Sequence, residues 1–232
     1  MTAAVRAPRT LVDVIPTPTD RTLRIARDVA LVVGFACLTA VFAQIRFSLG
    51  FTPVPITGQT FAVLLAGAAL GWRRGAASQA AYWVVGIVSP VAWYAGDDTG
   101  TSLSAGWHVA TGTTAGYLAG FVVAAAIVGY LAERGQDREF ATSAPAMLAG
   151  TAAIYLCGAT WLAWKLNIPI ADGETNAVAL GVTPFLAGDL VKLLVAGASR
   201  RSRGARSSAE ATLRPTPTRR PPRSPVGDQA HW

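Results

Sequence analysis

Six apolar segments, near residues 25–46, 56–72, 75–94, 112–133, 144–166 and 177–198, follow one another with very little charge inside them. A helix crosses the hydrocarbon core of a bilayer in about 20 apolar residues at 1.5 Å each. No water is present there, so every backbone polar group must find its partner within the structure. The second and third segments are short for a span. The run Gly71-Trp72-Arg73-Arg74-Gly75 between them reads as a tight polar hinge where helices stop. Only 14% of the chain is charged and 52% is hydrophobic, against about 25% charged in an ordinary soluble domain. The pattern predicts an all-α membrane protein with six transmembrane helices. Residues 25–198 would form the membrane domain, between a disordered or interfacial segment at 1–24 and a disordered basic tail at 199–232.

Charge placement orients the chain. All but three of its 20 Lys and Arg lie at or before Arg27, at Arg73 and Arg74, between Glu133 and Arg138, or after Ala198. The other three are Arg46, Lys165 and Lys192. With the N-terminus in the cytoplasm, the opposite loops hold Arg46 and Lys165 with Asp97, Asp98, Asp172 and Glu174. That asymmetry is the positive-inside pattern, and it predicts a multi-pass protein of the cell membrane with both termini cytoplasmic. The first 27 residues lack the apolar stretch of a secretory signal, so the first apolar segment is expected to stay in the mature protein. "RPTPTRRPPRSP" in the tail cannot bury a core. It suits attraction to membrane lipid headgroups or a solvated extension that enforces topology. A basic surplus also fits nucleic-acid binding, but no aromatic-basic module accompanies it, so no nucleic-acid partner is expected.

Several chemistries are excluded. Cys37 and Cys157 sit in apolar runs as small hydrophobes, and His108 is the sole histidine outside the extreme tail, so no metal site is expected. There is no phosphate-binding loop with its lysine and no nucleophile elbow, and no cofactor or catalytic residue is assigned. What stands out is Asp189 with Lys192, at i and i+3 on one helical face inside the sixth segment. A charge at membrane depth costs at least about 2.5–3.5 kcal/mol on insertion scales, which makes the pair a binding-site candidate. Gln59, which both donates and accepts, opens the second segment behind Pro53 and Pro55. Gly112, Gly116 and Gly120 repeat every fourth residue, a spacing that lets backbones approach closely, and Tyr117 shares that region. Ala36 and Ala40 form another small-residue pair, suited to packing inside the chain or against a partner. The segment 89–111 reads as a long external loop, and loops of that length without structure are often functional. It carries Trp93, Tyr94 and Trp107, placed either as a cover or as an interfacial aromatic belt.

Three stretches carry a resemblance. "FTPVPITGQTFAVLLAGAALG" (Phe51 to Gly71), "ATGTTAGYLAGF" (Ala110 to Phe121) and "PFLAGDLVK" (Pro184 to Lys192) resemble the BioY family, and the likeness extends over roughly residues 28–198. BioY proteins are biotin-specific substrate-binding subunits of energy-coupling factor (ECF) transporters. The resemblance implies a six-helix fold that captures biotin from outside. It also implies partners this chain lacks, a transmembrane coupling subunit and two ABC-type ATPases, with Ala36 and Ala40 on the docking surface for the coupling subunit. Asp189 would accept from the ureido N–H groups of biotin. Lys192 would donate to the ureido oxygen or to the carboxylate. Gln59, Tyr117, Gly112, Trp93, Tyr94 and Trp107 would complete the site, the aromatic loop residues covering the ring system.

This chain departs from the family's usual pattern in places. Gly58 stands where a bulky residue is common, the proline usual after Gly112 is absent, and Asp97 and Asp98 occupy a loop that is commonly richer in glycine. The alternatives are a subunit for another vitamin, such as thiamin or riboflavin, or a biotin carrier that works alone. A reading from another class is an intramembrane enzyme using Asp189, which lacks the positioned partner that acid–base work requires.

Overall fold

The computed structural model describes residues 10, 12, 18–89, 93–94, 103–134 and 140–186. Asp189 and Lys192 lie outside these residues, as do Asp97, Asp98 and the whole basic tail.

Helix α1 spans Arg21–Ala43, and Asp20 caps it by accepting from the N–H groups of Thr22 and Leu23. Two short strands follow, β1 (Arg46–Phe47) and β2 (Ile56–Thr57), paired antiparallel with Arg46 opposite Thr57. The chain then forms α2 (Gln59–Leu70), α3 (Trp72–Val88), α4 (Leu103–Thr111), α5 (Ala115–Glu133), α6 (Phe140–Leu166) and α7 (Ala177–Gly181). A further helical turn covers residues 183–186. The molecule is therefore mostly helical rather than all-α, since the β1–β2 hairpin joins α1 to α2.

Three stretches among the described residues are long and apolar enough to cross a membrane: Arg21–Ala43, Ala115–Glu133 and Ala144–Leu166. With 12 and 17 residues, α2 and α3 reach only about 18 and 26 Å at 1.5 Å per residue. The hinge between them is one residue, not five. Gly71, at φ 80°, ends α2 and begins α3. Trp72, Arg73 and Arg74 form the first turn of α3, because Arg74 finds acceptors there: Nε donates to the carbonyl of Leu70 and Nη1 meets Asp28 of α1 at 3.2 Å. The expected long loop at 89–111 likewise contains a helix, α4, at its C-terminal end.

Helix α5 is the axis of the bundle, with buried residues on every side of it. Small residues bring its neighbours close. A Cβ built at Gly120 would lie 2.9 Å from the Cα of Ile154 in α6, and one at Gly129 would lie 2.6 Å from the Cα of Trp72 in α3. Ala36 and Ala40 of α1 are 3% and 8% exposed and belong to the same core, where α1 packs on α2 and α3. Thr39, between them and fully buried, donates to Gln79 of α3 at 3.3 Å. The side of α1 left open carries Val29, Val33, Cys37 and Val41. At the start of the chain, Thr10 and Val12 are buried and the carbonyl of Val12 accepts from Arg27 at 2.6 Å. These two residues of the N-terminal segment therefore pack on the bundle.

Candidate functional site

The bundle has two unlike ends. One gathers Asp28, Arg73, Arg74, Glu133 and Arg134, where the α2–α3 turn meets the C-terminus of α5; Glu133 accepts there from the N–H of Trp72 at 3.1 Å. The other end holds the hairpin, the N-termini of α2 and α5, and α7. A cavity of about 40 Å³ opens at this second end. It has room for a few water molecules.

Each wall comes from a different element. Val54, Pro55 and Thr57 belong to the hairpin, Gln59 and Thr60 to α2, and Tyr94 to the segment after α3. Val109 lies on α4, Thr114, Tyr117, Leu118 and Phe121 at the start of α5, Tyr155 on α6, and Phe185 on the turn after α7. The rings of Tyr117 and Tyr155 lie 6.1 and 6.0 Å from that of Phe185. Aromatic and aliphatic walls with a few hydroxyl and amide groups are the usual make-up of a small-molecule site.

Gln59 is buried, and both ends of its amide are engaged. Its Nε2 donates to the Tyr82 hydroxyl at 2.5 Å, and its Oε1 accepts from the Thr57 hydroxyl at 3.0 Å. Tyr82 in turn donates to the carbonyl of Trp93 at 3.3 Å. A chain of hydrogen bonds therefore runs from the hairpin through α2 and α3 to the segment that carries Tyr94. Each polar tip has a partner, as an interior without water demands.

Trp93 and Tyr94 are fastened to α3 rather than lying over the cavity as a free flap. Trp93 Nε1 donates to the carbonyl of Tyr82 at 2.8 Å, and its ring stacks on Tyr82 with centroids 6.0 Å apart. The Tyr94 hydroxyl donates to the carbonyl of Trp83, and its ring meets Tyr82 edge-on. Of the three aromatic residues expected around the ligand, Tyr94 lines the cavity, Trp93 backs it and Trp107 points outward at 56% exposure.

Tyr117 lines the cavity and donates to the carbonyl of Gly181 at 2.7 Å. The neighbouring carbonyl, of Leu180, accepts from the Thr52 hydroxyl at 2.6 Å. The last carbonyls of a helix have no partner within it, and here they anchor α7 to α5 and to the hairpin. Gly112 is not part of the lining. Its carbonyl accepts from Trp161 Nε1 at 2.8 Å, which ties the α4–α5 turn to α6. Ala36 and Ala40 pack against α2 and α3 of the same chain.

The sequence reading missed Thr114, Phe121, Tyr155 and Phe185. Three of them had a positional signal. Thr114 and Phe121 fall within "ATGTTAGYLAGF", and Phe185 falls within "PFLAGDLVK", four residues before Asp189. Tyr155 had none. Among the described residues no group of His, Cys, Asp and Glu is placed to hold a metal ion.

These features define a helical membrane protein with a small-molecule cavity at the end away from its basic cluster. A crystal structure described as the S-component for biotin from an ECF-type ABC transporter has the same fold, with a TM-score of 0.61 over 81% of this chain and 95% of that one, at 20% identity. The BioY family profile matches residues 12–207, and the chain belongs to the BioY family. It is 40% identical over 172 residues to a probable biotin transporter BioY of Pyrococcus horikoshii, covering 74% of this chain and 92% of that protein. It is 36% identical over 179 residues to the biotin transporter BioY of Rhizobium etli, covering 73% and 89%.

Proposed function

We propose that this chain is the substrate-capturing membrane subunit of an ECF-type importer and that its substrate is biotin. Family membership supports the class, and the names of its relatives support the substrate. The observation that carries the reading is the aromatic cavity at the end of the bundle opposite Arg73, Arg74 and Arg134. By the positive-inside rule that basic end faces the cytoplasm, so the cavity faces the side from which a nutrient arrives. The protein is a transport subunit and not an enzyme.

The finer parts of the proposal follow from the same arrangement. Residues 25–198 cross the membrane six times with both termini in the cytoplasm, and α2 and α3, joined through Gly71, serve as two of the spans. Asp189 and Lys192 meet the polar groups of biotin, and the lining described above holds its ring and chain. Charge-assisted hydrogen bonds of that kind contribute about 1.5–3 kcal/mol each. A coupling subunit and two ATPases complete the importer.

The test is equilibrium binding of biotin to the purified chain. Asp189→Asn and Lys192→Ala should each weaken binding at least about tenfold, the equivalent of about 1.4 kcal/mol. Unchanged affinity in both variants sinks the assignment of the pair. Competition by thiamin or riboflavin at equal concentration sinks the choice of vitamin. Co-purification with a coupling subunit separates an ECF assembly from a carrier that works alone.

A further inference from the structure

The basic end of the bundle carries two arginines with the same surroundings. The Arg73 guanidinium lies over the ring of Trp72, 5.0 Å from its centroid, and that of Arg134 lies over Tyr130 at 4.2 Å. Both rings are exposed, at 40% and 46%. The two pairs flank one helix contact. Glu133 reaches the N–H of Trp72, and Gly129 faces the backbone of Gly71 and Trp72.

Among the described residues, the two carboxylates at this end are committed to other groups. Glu133 sits on the N-terminus of α3, where a negative charge is favoured by the helix dipole, and Asp28 pairs with Arg74. Arg73 and Arg134 have no ion pair among the described residues. A guanidinium stacked on a ring keeps its N–H edge free, and that edge presents two parallel donors matched to two oxygens of a phosphate. Stacking also holds the side chain in place before the ligand arrives. Exposed Trp and Tyr at a helix end mark the headgroup level of a bilayer, and the cytoplasmic leaflet supplies anionic headgroups.

We propose that Arg73 stacked on Trp72 and Arg134 stacked on Tyr130 each hold the phosphate of an anionic phospholipid in the leaflet around the α2–α3 turn. A positive-inside signal alone needs charge at this end and nothing more. The stacked pairs add a fixed fork geometry, which lysine lacks. This distinction makes the two readings separable, and neither depends on biotin being the substrate.

The experiment is native mass spectrometry of the full chain in detergent, titrated with phosphatidylglycerol, with phosphatidylcholine, and with phosphatidylglycerol in the presence of millimolar inorganic phosphate. The wild-type chain should retain phosphatidylglycerol about tenfold more strongly than phosphatidylcholine, and R73K/R134K should lose most of that preference although its charge is unchanged. W72L/Y130L, which keeps both arginines and removes their platforms, should lose it too. The basic tail attracts anionic lipid equally in all these proteins, so it cancels in the comparison. Should R73K/R134K fold poorly, R134K alone should show a partial loss. Equal retention of the two lipids by the wild-type chain, or full retention of the preference in the lysine variants, overturns the site. Displacement of phosphatidylglycerol by millimolar phosphate overturns the lipid as its occupant.

Discussion

Gln59 offers a sharp test of how the pocket is built, because its amide is already engaged on both sides. Gln59→Leu puts an apolar side chain of similar size in place of the amide and removes two hydrogen bonds, one from the Thr57 hydroxyl and one to the Tyr82 hydroxyl. Side-chain hydrogen bonds between membrane helices average about 0.6 kcal/mol and reach about 1.7. Losing two costs about 1–3 kcal/mol, equivalent to about 5- to 150-fold if all of it appeared in binding. Part of the cost falls on stability instead, so a loss of about tenfold in biotin affinity is expected. Tyr82→Phe removes the acceptor of the same bond and should weaken binding to a similar extent, although Tyr82 is not part of the cavity lining. The decisive measurement is the double variant, with biotin binding by calorimetry and thermal unfolding followed in parallel. Groups in one hydrogen-bond network couple, and a double-mutant cycle reads that coupling. The double variant should bind no worse than the weaker single variant. If the two losses multiply, or if Tyr82→Phe binds as the wild type does while Gln59→Leu fails, then Gln59 acts on binding independently of Tyr82 and the network account is wrong.

Further outcomes follow from other contacts. Thr52→Val removes the bond from the hairpin to the carbonyl of Leu180. It should speed biotin dissociation about three- to fifteenfold, with Thr52→Ser retaining the slow rate, as stopped-flow displacement would show. Gly129→Leu forces side-chain atoms against the backbone of Trp72. Overpacking of this kind costs about 1–3 kcal/mol, and it should lower the unfolding temperature in detergent while leaving the lining of the cavity in place. Tyr94→Leu should weaken biotin binding because Tyr94 lines the cavity. Trp107→Leu should leave affinity within about twofold, since surface substitutions usually change free energies by under about 0.5 kcal/mol; equal losses in the two variants would show that α4 closes over the site.

The fold was legible where physics leaves a one-dimensional trace. The apolar run at 112–133 became α5 at Ala115–Glu133, and the glycine spacing at 116 and 120 marks its close approach to α6. Pro53 and Pro55 announced an extended entry, and strand β2 begins at Ile56, directly after Pro55. The hinge was misjudged because arginine reads as a helix stop between apolar runs, whereas Arg74 satisfies itself on Leu70 and Asp28 within the first turn of α3. Helix α4 was missed because its nine residues sit in a stretch rich in Gly and Ser. Tyr155 and Phe185 were missed for a more general reason. In a soluble helix a polar face marks the outside. In lipid both faces are apolar, so hydropathy does not tell a cavity-lining aromatic from one such as Trp164, which is 70% exposed. The inward face of Ala36 and Ala40 was hidden in the same way. Small-residue spacing says that something packs closely, and only the bundle shows that it is the chain's own α2 and α3.

The walls of the cavity differ in what it costs to part them. Helices α2, α5 and α6 meet through glycines at van der Waals distance, so moving them apart would forfeit contacts along whole helical faces and leave unfilled space in a close-packed interior. The hairpin and α7 are held differently. Thr52 to Leu180 and Tyr117 to Gly181 are single hydrogen bonds, each of about 0.6–1.7 kcal/mol in such a setting. A cavity of about 40 Å³ must widen before it can admit a bicyclic vitamin. The least costly widening swings the hairpin with Val54 and Pro55, or α7 with Phe185, and leaves the glycine-packed helices where they are. Both hydrogen bonds end on adjacent carbonyls of the same short helix, so releasing one removes one of the two side-chain tethers that fix this end of α7. Loss of the Thr52 bond should therefore act mainly on the rate of exchange, and the Gln59 network, which fastens Thr57 of the hairpin to α2 and α3, should act mainly on affinity.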